Sequence, residues 1–249
     1  MIQTPGGLRP QSTVTTVLDG QVITREGDTA PVLQERESPR AVNENGWITY
    51  SAWNAPQGRN ITNFVTNWRV PAAPAKQSGQ LLYLFNGIMN SEQTTILQPV
   101  LQWGVSDAGG GEYWGVASWY VDIKGQTYHT NLVPVQPGQF LSGVMTLTGT
   151  TGSNFNYTSE FVGIPGTQLA IQNIELLQNS SETLEAYYVD DCAEYPTGDT
   201  AFTNIEFTFA GGAATPAWDL ITPYSDCGQH ATIANDSPTD GAVDLFYGN

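Results

Sequence analysis

Two strand-like runs hold the side chains best suited to chemistry. The first is Ile96-Leu97-Gln98-Pro99-Val100-Leu101-Gln102-Trp103, which sets glutamines among apolar residues. The second is Thr183-Leu184-Glu185-Ala186-Tyr187-Tyr188, which sets a carboxylate among aromatics. A glutamine amide can both donate to and accept from a polarised carbonyl, and a carboxylate can activate water. Side chains alternate along a strand, so Ile96, Gln98, Val100 and Gln102 share one face while Leu97, Leu101 and Trp103 share the other. The second face is core. The first is mixed, as the floor of a groove is. By the same rule Glu185 shares a face with Thr183 and Tyr187, where burial would raise its pKa.

Other chemistries lack their residues. The histidines are His129 and His230, and neither has a partner at metal-binding spacing, so no metal or cofactor is expected. No Gly-x-Ser-x-Gly elbow is present. His129, in Tyr128-His129-Thr130, reads as a surface or groove residue. The tetrapeptide Gly-Asp-Thr-Ala at 27–30 and 198–201 suggests paired aspartates, Asp28 and Asp199. Turn chemistry accounts for both copies, since Arg25-Glu26-Gly27 precedes the first and no apolar run leads into it.

The elements that must position Gln98 and Glu185 are short strands. Candidates run Trp47–Trp53, Ile61–Val70, Gln80–Phe85, Thr94–Trp103, Tyr113–Val121, Gln126–Pro134, Phe140–Gly149, Asn154–Val162, Ala170–Leu177, Thr183–Val189, Ala201–Phe209 and Val243–Tyr247. Gly, Pro and Asn clusters separate them, and no amphipathic helix of three or more turns is evident. The pattern predicts an all-β chain, a sandwich or a barrel over residues 46–249, with an N-terminal strand extension. In residues 1–45, Thr13–Leu18 and Gln21–Thr24 flank Asp19-Gly20 and read as a hairpin with a type I′ turn. The polar, proline-containing stretch Ala30–Asn45 reads as a linker. The extension could add to a neighbour's sheet edge, giving strand-mediated self-association.

Charge narrows the partners. Residues 1–124 hold eight bases against ten acids, a net of −2, whereas residues 125–249 hold fourteen acids and no Lys or Arg, a net of −14. Neither nucleic acid nor an anionic membrane suits such a surface. A pI near 4.1 fits a soluble surface, and also fits work in acid, where self-repulsion is relieved. Cys192 and Cys227 are compatible with one disulfide and an oxidising compartment, hence a secreted protein. Met1–Gly7 has neither the basic nor the apolar region of a signal peptide.

The order of these features resembles the glutamic peptidase (eqolisin) family. Leu84-Phe85-Asn86-Gly87-Ile88 followed by Thr94-Thr95-Ile96-Leu97-Gln98 is similar to the family's apolar-Gly-Ile segment and the strand bearing its catalytic Gln. Val116-Ala117-Ser118-Trp119-Tyr120 is similar to its aromatic strand, and Leu184-Glu185-Ala186-Tyr187 to the strand of its catalytic Glu. The resemblance spans roughly residues 47–210. It implies a two-sheet antiparallel β-sandwich of jelly-roll, concanavalin-like type, and an acid-acting endopeptidase in which Glu185 is general base and Gln98 stabilises the oxyanion. Phe85, Gln102, Ser118, Trp119, Tyr120 and Tyr187 would line a groove for a polypeptide. Ser118 stands where the family has a Glu, and Phe85 where it has a Trp. The alternatives are a non-catalytic sandwich that binds glycan and a self-assembling structural sandwich.

Overall fold

The computed structural model describes residues 2–4, 7–9, 13–25 and 46–248. Its strands are β1 (Ile2–Thr4), β2 (Gly7–Arg9), β3 (Thr13–Val17), β4 (Val22–Thr24), β5 (Gly46–Asn54), β6 (Asn60–Arg69), β7 (Leu81–Met89), β8 (Ile96–Ser106), β9 (Gly109–Val121) and β10 (Gln126–Thr130). They continue with β11 (Val133–Pro134), β12 (Phe140–Thr151), β13 (Asn154–Phe161), β14 (Leu169–Ile174), β15 (Asn179–Tyr187), β16 (Asp199–Ala210), β17 (Asp219–Ile221), β18 (His230–Asn235) and β19 (Gly241–Phe246). One 3-10 turn, Cys192–Glu194, interrupts them. Each strand anticipated from alternation is present; β17 and β18, short and mostly exposed, carry no such signal.

Two sheets pack face to face. The larger runs β17-β5-β15-β7-β8-β9-β10-β3, with β11 also on β9; the smaller runs β18-β19-β16-β6-β12-β13-β14-β4. β1 and β2 pair with one another. Between the sheets lie Leu97, Leu101, Val116 and Leu184 from the larger and Phe64, Trp68, Phe161 and Phe202 from the smaller. Phe64 stacks on Phe207 at 4.4 Å, and Trp68 meets Phe161 edge-on at 5.6 Å. Each such side chain contributes about 1.5–3 kcal/mol by leaving water.

The N-terminal strands form, but not as a hairpin. β3 lies parallel to β10 in the larger sheet, and β4 lies parallel to β14 in the smaller. The sandwich is therefore mixed rather than wholly antiparallel. The turn explains the difference: Gln21 N–H bonds to Leu18 O, and of the two central residues Gly20 alone has a positive φ, of 77°. A type I′ turn needs both positive, and a turn with one splays its arms, so each arm joins a different sheet. The expected linker 30–45 lies outside the described residues.

Cys192 and Cys227 are joined in a disulfide. It ties the 3-10 turn that follows β15 to the loop before β18.

Candidate functional site

The larger sheet has a second apolar cluster on the face turned away from the sandwich interior, including Trp47, Phe85, Met89, Ile96, Val100, Ala117 and Trp119. A cavity of about 370 Å³ opens on this face, lined by Leu81, Tyr83, Gln98, Val100, Trp119, Val121, Glu185, Tyr187, Tyr188 and the segment Val105–Asp107. Gln98 and Glu185 both line it, as their strand parity requires.

Glu185 is 4% exposed, and its carboxylate accepts a hydrogen bond from the Tyr187 hydroxyl. Burial pushes its pKa up to about 8, against the opposing effect of Tyr187. Tyr83, missed by the sequence reading, is the cross-strand partner of Glu185. Its ring meets both Trp119 and Tyr187 edge-on, at 6.3 and 6.4 Å. Burial, then the charge of Glu185, pushes the Tyr83 hydroxyl far up; a bond to Ser106 opposes them. The signal for Tyr83 lay in its alternation with Leu82 and Leu84.

Register separates Gln98 from Glu185. Glu185 stands opposite Tyr83, and Tyr83 stands opposite Gln102. Gln98 instead belongs to the row between the Phe85–Val100 and Ile88–Leu97 pairs, which places Gly87 across from it and Ser181 beyond. The two rows are four residues apart, roughly 13 Å along the strands, and with β7 between them the residues lie two strand spacings apart laterally, about 10 Å. Strand side chains stand nearly perpendicular to the sheet. The pair therefore occupies two ends of one groove and does not converge on a single water. The β15 residue in the Gln98 row is Ser181, fully buried, whose hydroxyl accepts from Thr183 at 3.2 Å.

Other expected groove residues are redistributed. Trp119 and Tyr187 line the cavity. Phe85 is fully buried in the apolar floor, edge-on to Trp47 at 5.7 Å. Ser118 points the other way, into the interior, where it accepts a hydrogen bond from Ser159 of the smaller sheet at 3.1 Å. Tyr120 is likewise core, 1% exposed. Alternation requires this: if Trp119 faces the groove, its two neighbours cannot. Gln102 is 1% exposed and builds a wall instead of meeting a ligand. Its Nε2 donates to Gly104 O and Gly109 O, and its Oε1 accepts from Ser106, at 2.8–2.9 Å. This fixes the turn that bears Val105–Asp107.

His129 is 2% exposed and tilted against Trp119, ring centroids 4.8 Å apart. Its Nδ1 lies 2.9 Å from Thr130 O. A carbonyl only accepts, so Nδ1 carries the proton. Among the described residues no group of three or more His, Cys, Asp or Glu side chains could hold a metal ion.

No protein-family model matches the chain, and no curated protein matches it. Solved structures do. Scytalido-glutamic peptidase with a peptide-based transition-state analogue is similar at 15% identity and a TM-score of 0.50, covering 82% of this chain and 98% of that one. The same peptidase with a transition-state analogue inhibitor gives 15% and 0.52 over the same shares. SCP-B, an eqolisin-family peptidase in complex with the tripeptide Ala-Ile-His, gives 14% and 0.49. At these identities the likeness is one of architecture, and the chain has an eqolisin-like β-sandwich fold.

Proposed function

We propose that the groove binds an extended polypeptide and hydrolyses it, with Glu185 as the group that takes the proton from water. The observation that carries this reading is a carboxyl buried in an aromatic cavity and pushed up to about 8. Once ionised, such a carboxylate is a far stronger base than an ordinary one. Tyr83, across the strand pair, would offer its hydroxyl to the developing oxyanion, and Tyr187 orients the carboxyl. The likeness in fold to structures holding peptide-based inhibitors supports a polypeptide over a glycan as occupant. The disulfide fits a secreted protein.

The titration of Glu185 moves the working pH. A base with a pKa of about 8 loses its active form tenfold for each pH unit below that value. Action in acid, as the family resemblance implies, does not follow from this site. Hydrolysis of denatured protein from pH 3 to 9 is expected to rise with unit slope and level off near 8, and to vanish in Glu185→Gln. A rate maximum at pH 2–5, or activity retained by Glu185→Gln, would contradict the assignment.

One feature favours binding without hydrolysis: Ser181 in the Gln98 row leaves that amide with no carboxylate beside it. Peptide binding by both parent and Glu185→Gln, with cleavage by neither at any pH, is the outcome expected of that reading.

A further inference from the structure

Single exposed apolar side chains are ordinary on a protein surface, but two at the mouth of the cavity are held there by the structure. Tyr188, 47% exposed, follows directly on β15 with a φ of 59°, a region that bulky residues rarely enter and that recurs at ligand clamps. Val105, 67% exposed, sits where β8 runs into the turn to β9, on the wall that the buried Gln102 amide pins to Gly104 O and Gly109 O. Gly104, just before it, has a φ of 95° and no room for a Cβ beside Gln80 O. β7 lies between β15 and β8, so Tyr188 and Val105 rise from strands two spacings apart, about 10 Å, with Leu81 of β7 lining the cavity between them. That gap takes one side chain.

Charge decides which. The charged side chains of the lining are Asp107 and Glu185, and no Lys, Arg or His joins them among the described residues. Asp107 is exposed at the rim, two residues beyond Val105. Its charge reaches the hydroxyl of Tyr83, which stands opposite Glu185, so the gap lies at the Glu185 end of the groove. Tyr83 and Tyr187 add aromatic rings there, and a ring face attracts a cation. A Lys or Arg side chain suits such a place, because its stem lies along apolar surface while its head stays in water at the rim. An acidic side chain would meet only like charge.

We infer that Val105, Asp107 and Tyr188 form a specificity pocket for the side chain of a basic residue next to the scissile bond, with the aliphatic stem between Val105 and Tyr188 and the cationic head at Asp107. The inference rests on the polypeptide reading of the groove and names the kind of polypeptide.

The test uses the full chain carrying Glu185→Gln, which leaves Asp107 as the charged side chain of the lining. The probes are three blocked octapeptides, alike except for one central residue: Lys, norleucine or Glu. Norleucine keeps the stem and loses the charge. Calorimetry at pH 7 should find Lys bound about five- to tenfold more tightly than norleucine, the worth of one partly exposed charge pair together with an aromatic face, and Glu bound most weakly. The Lys advantage should shrink as salt is raised and disappear in Asp107→Asn. Tyr188→Asn, which removes the ring and suits a positive φ, should weaken Lys and norleucine alike. In the active chain, cleavage of a denatured protein, mapped by mass spectrometry, should concentrate beside Lys and Arg. Equal binding of Lys and norleucine, or a Lys advantage that survives Asp107→Asn, would overturn the inference and leave the groove a peptide site. A Lys advantage without cleavage by the active chain sinks only the hydrolase reading and leaves the pocket standing. Binding of none of the three peptides removes the polypeptide reading and the pocket with it.

Discussion

Replacing Glu185 with Gln tests the electrostatics of the groove without reference to any substrate. The carboxyl is 4% exposed and titrates at about 8 in the folded chain, against an ordinary value of 4.5. Below pH 4.5 it is protonated in both the folded and the unfolded states and favours neither. Between 4.5 and 8 the unfolded chain ionises it while the folded chain holds the proton, so stability falls as the pH rises. The gap is 8 minus 4.5 pH units, which at ~1.4 kcal/mol per unit is on the order of 5 kcal/mol by pH 9. Gln keeps the shape and an acceptor for Tyr187 but cannot ionise. Urea unfolding at pH 4 should therefore find parent and Glu185→Gln within about 1 kcal/mol of each other. At pH 9 the variant should be the more stable, by up to about 5 kcal/mol. Glu182, fully buried between the sheets and bonded to Thr66 at 2.7 Å, is also pushed well up by burial. It adds a loss of the same sign to both proteins and cancels in the comparison. An equal stability difference at pH 4 and 9 would refute the reasoning.

Other perturbations probe the scaffold. Gly104→Ala forces a Cβ to within 2.2 Å of Gln80 O at a φ of +95°, and should cost ~3 kcal/mol or more, read as a drop in the urea midpoint. Cys192→Ser opens a link between residues 35 apart and should cost about 3–4 kcal/mol in the same assay. Gln102→Leu releases the turn bearing Val105–Asp107, and should loosen that wall, seen as faster amide exchange at Gly104–Gly109, while the rest of β8 stays protected.

The alternation of apolar residues made the strands legible, and with them the face of each residue: Gln98, Val100 and Glu185 stand where period two puts them. The same rule rejects Ser118 and Tyr120 as companions of Trp119, and there the family resemblance misled. Register was not legible. Nothing local in Thr183–Tyr187 says that Glu185 meets Tyr83 and that Ser181 falls in the Gln98 row; that is fixed by pairing across three strands. Pro99 marks the spot in retrospect. It cannot donate to the ladder, and the β7–β8 ladder is interrupted beside it. The N-terminal arms were legible as strands but not as partners of opposite sheets, because Asp19-Gly20 suits more than one turn and only φ distinguishes them.

That crossing at Asp19-Gly20 has a consequence for the order of assembly. β3 completes its pairing with β10 and β4 with β14, more than a hundred residues downstream in each case. The segment is thus made well before both of its partners and can dock only after them. Until it does, the outer edges of β10 and β14 stay open to strands from other chains. Slow, concentration-sensitive folding follows from such long-range closure. The segment acts as a seal on both sheets at once: a chain without its first 25 residues should assemble through those two edges and elute from a sizing column as a concentration-dependent oligomer.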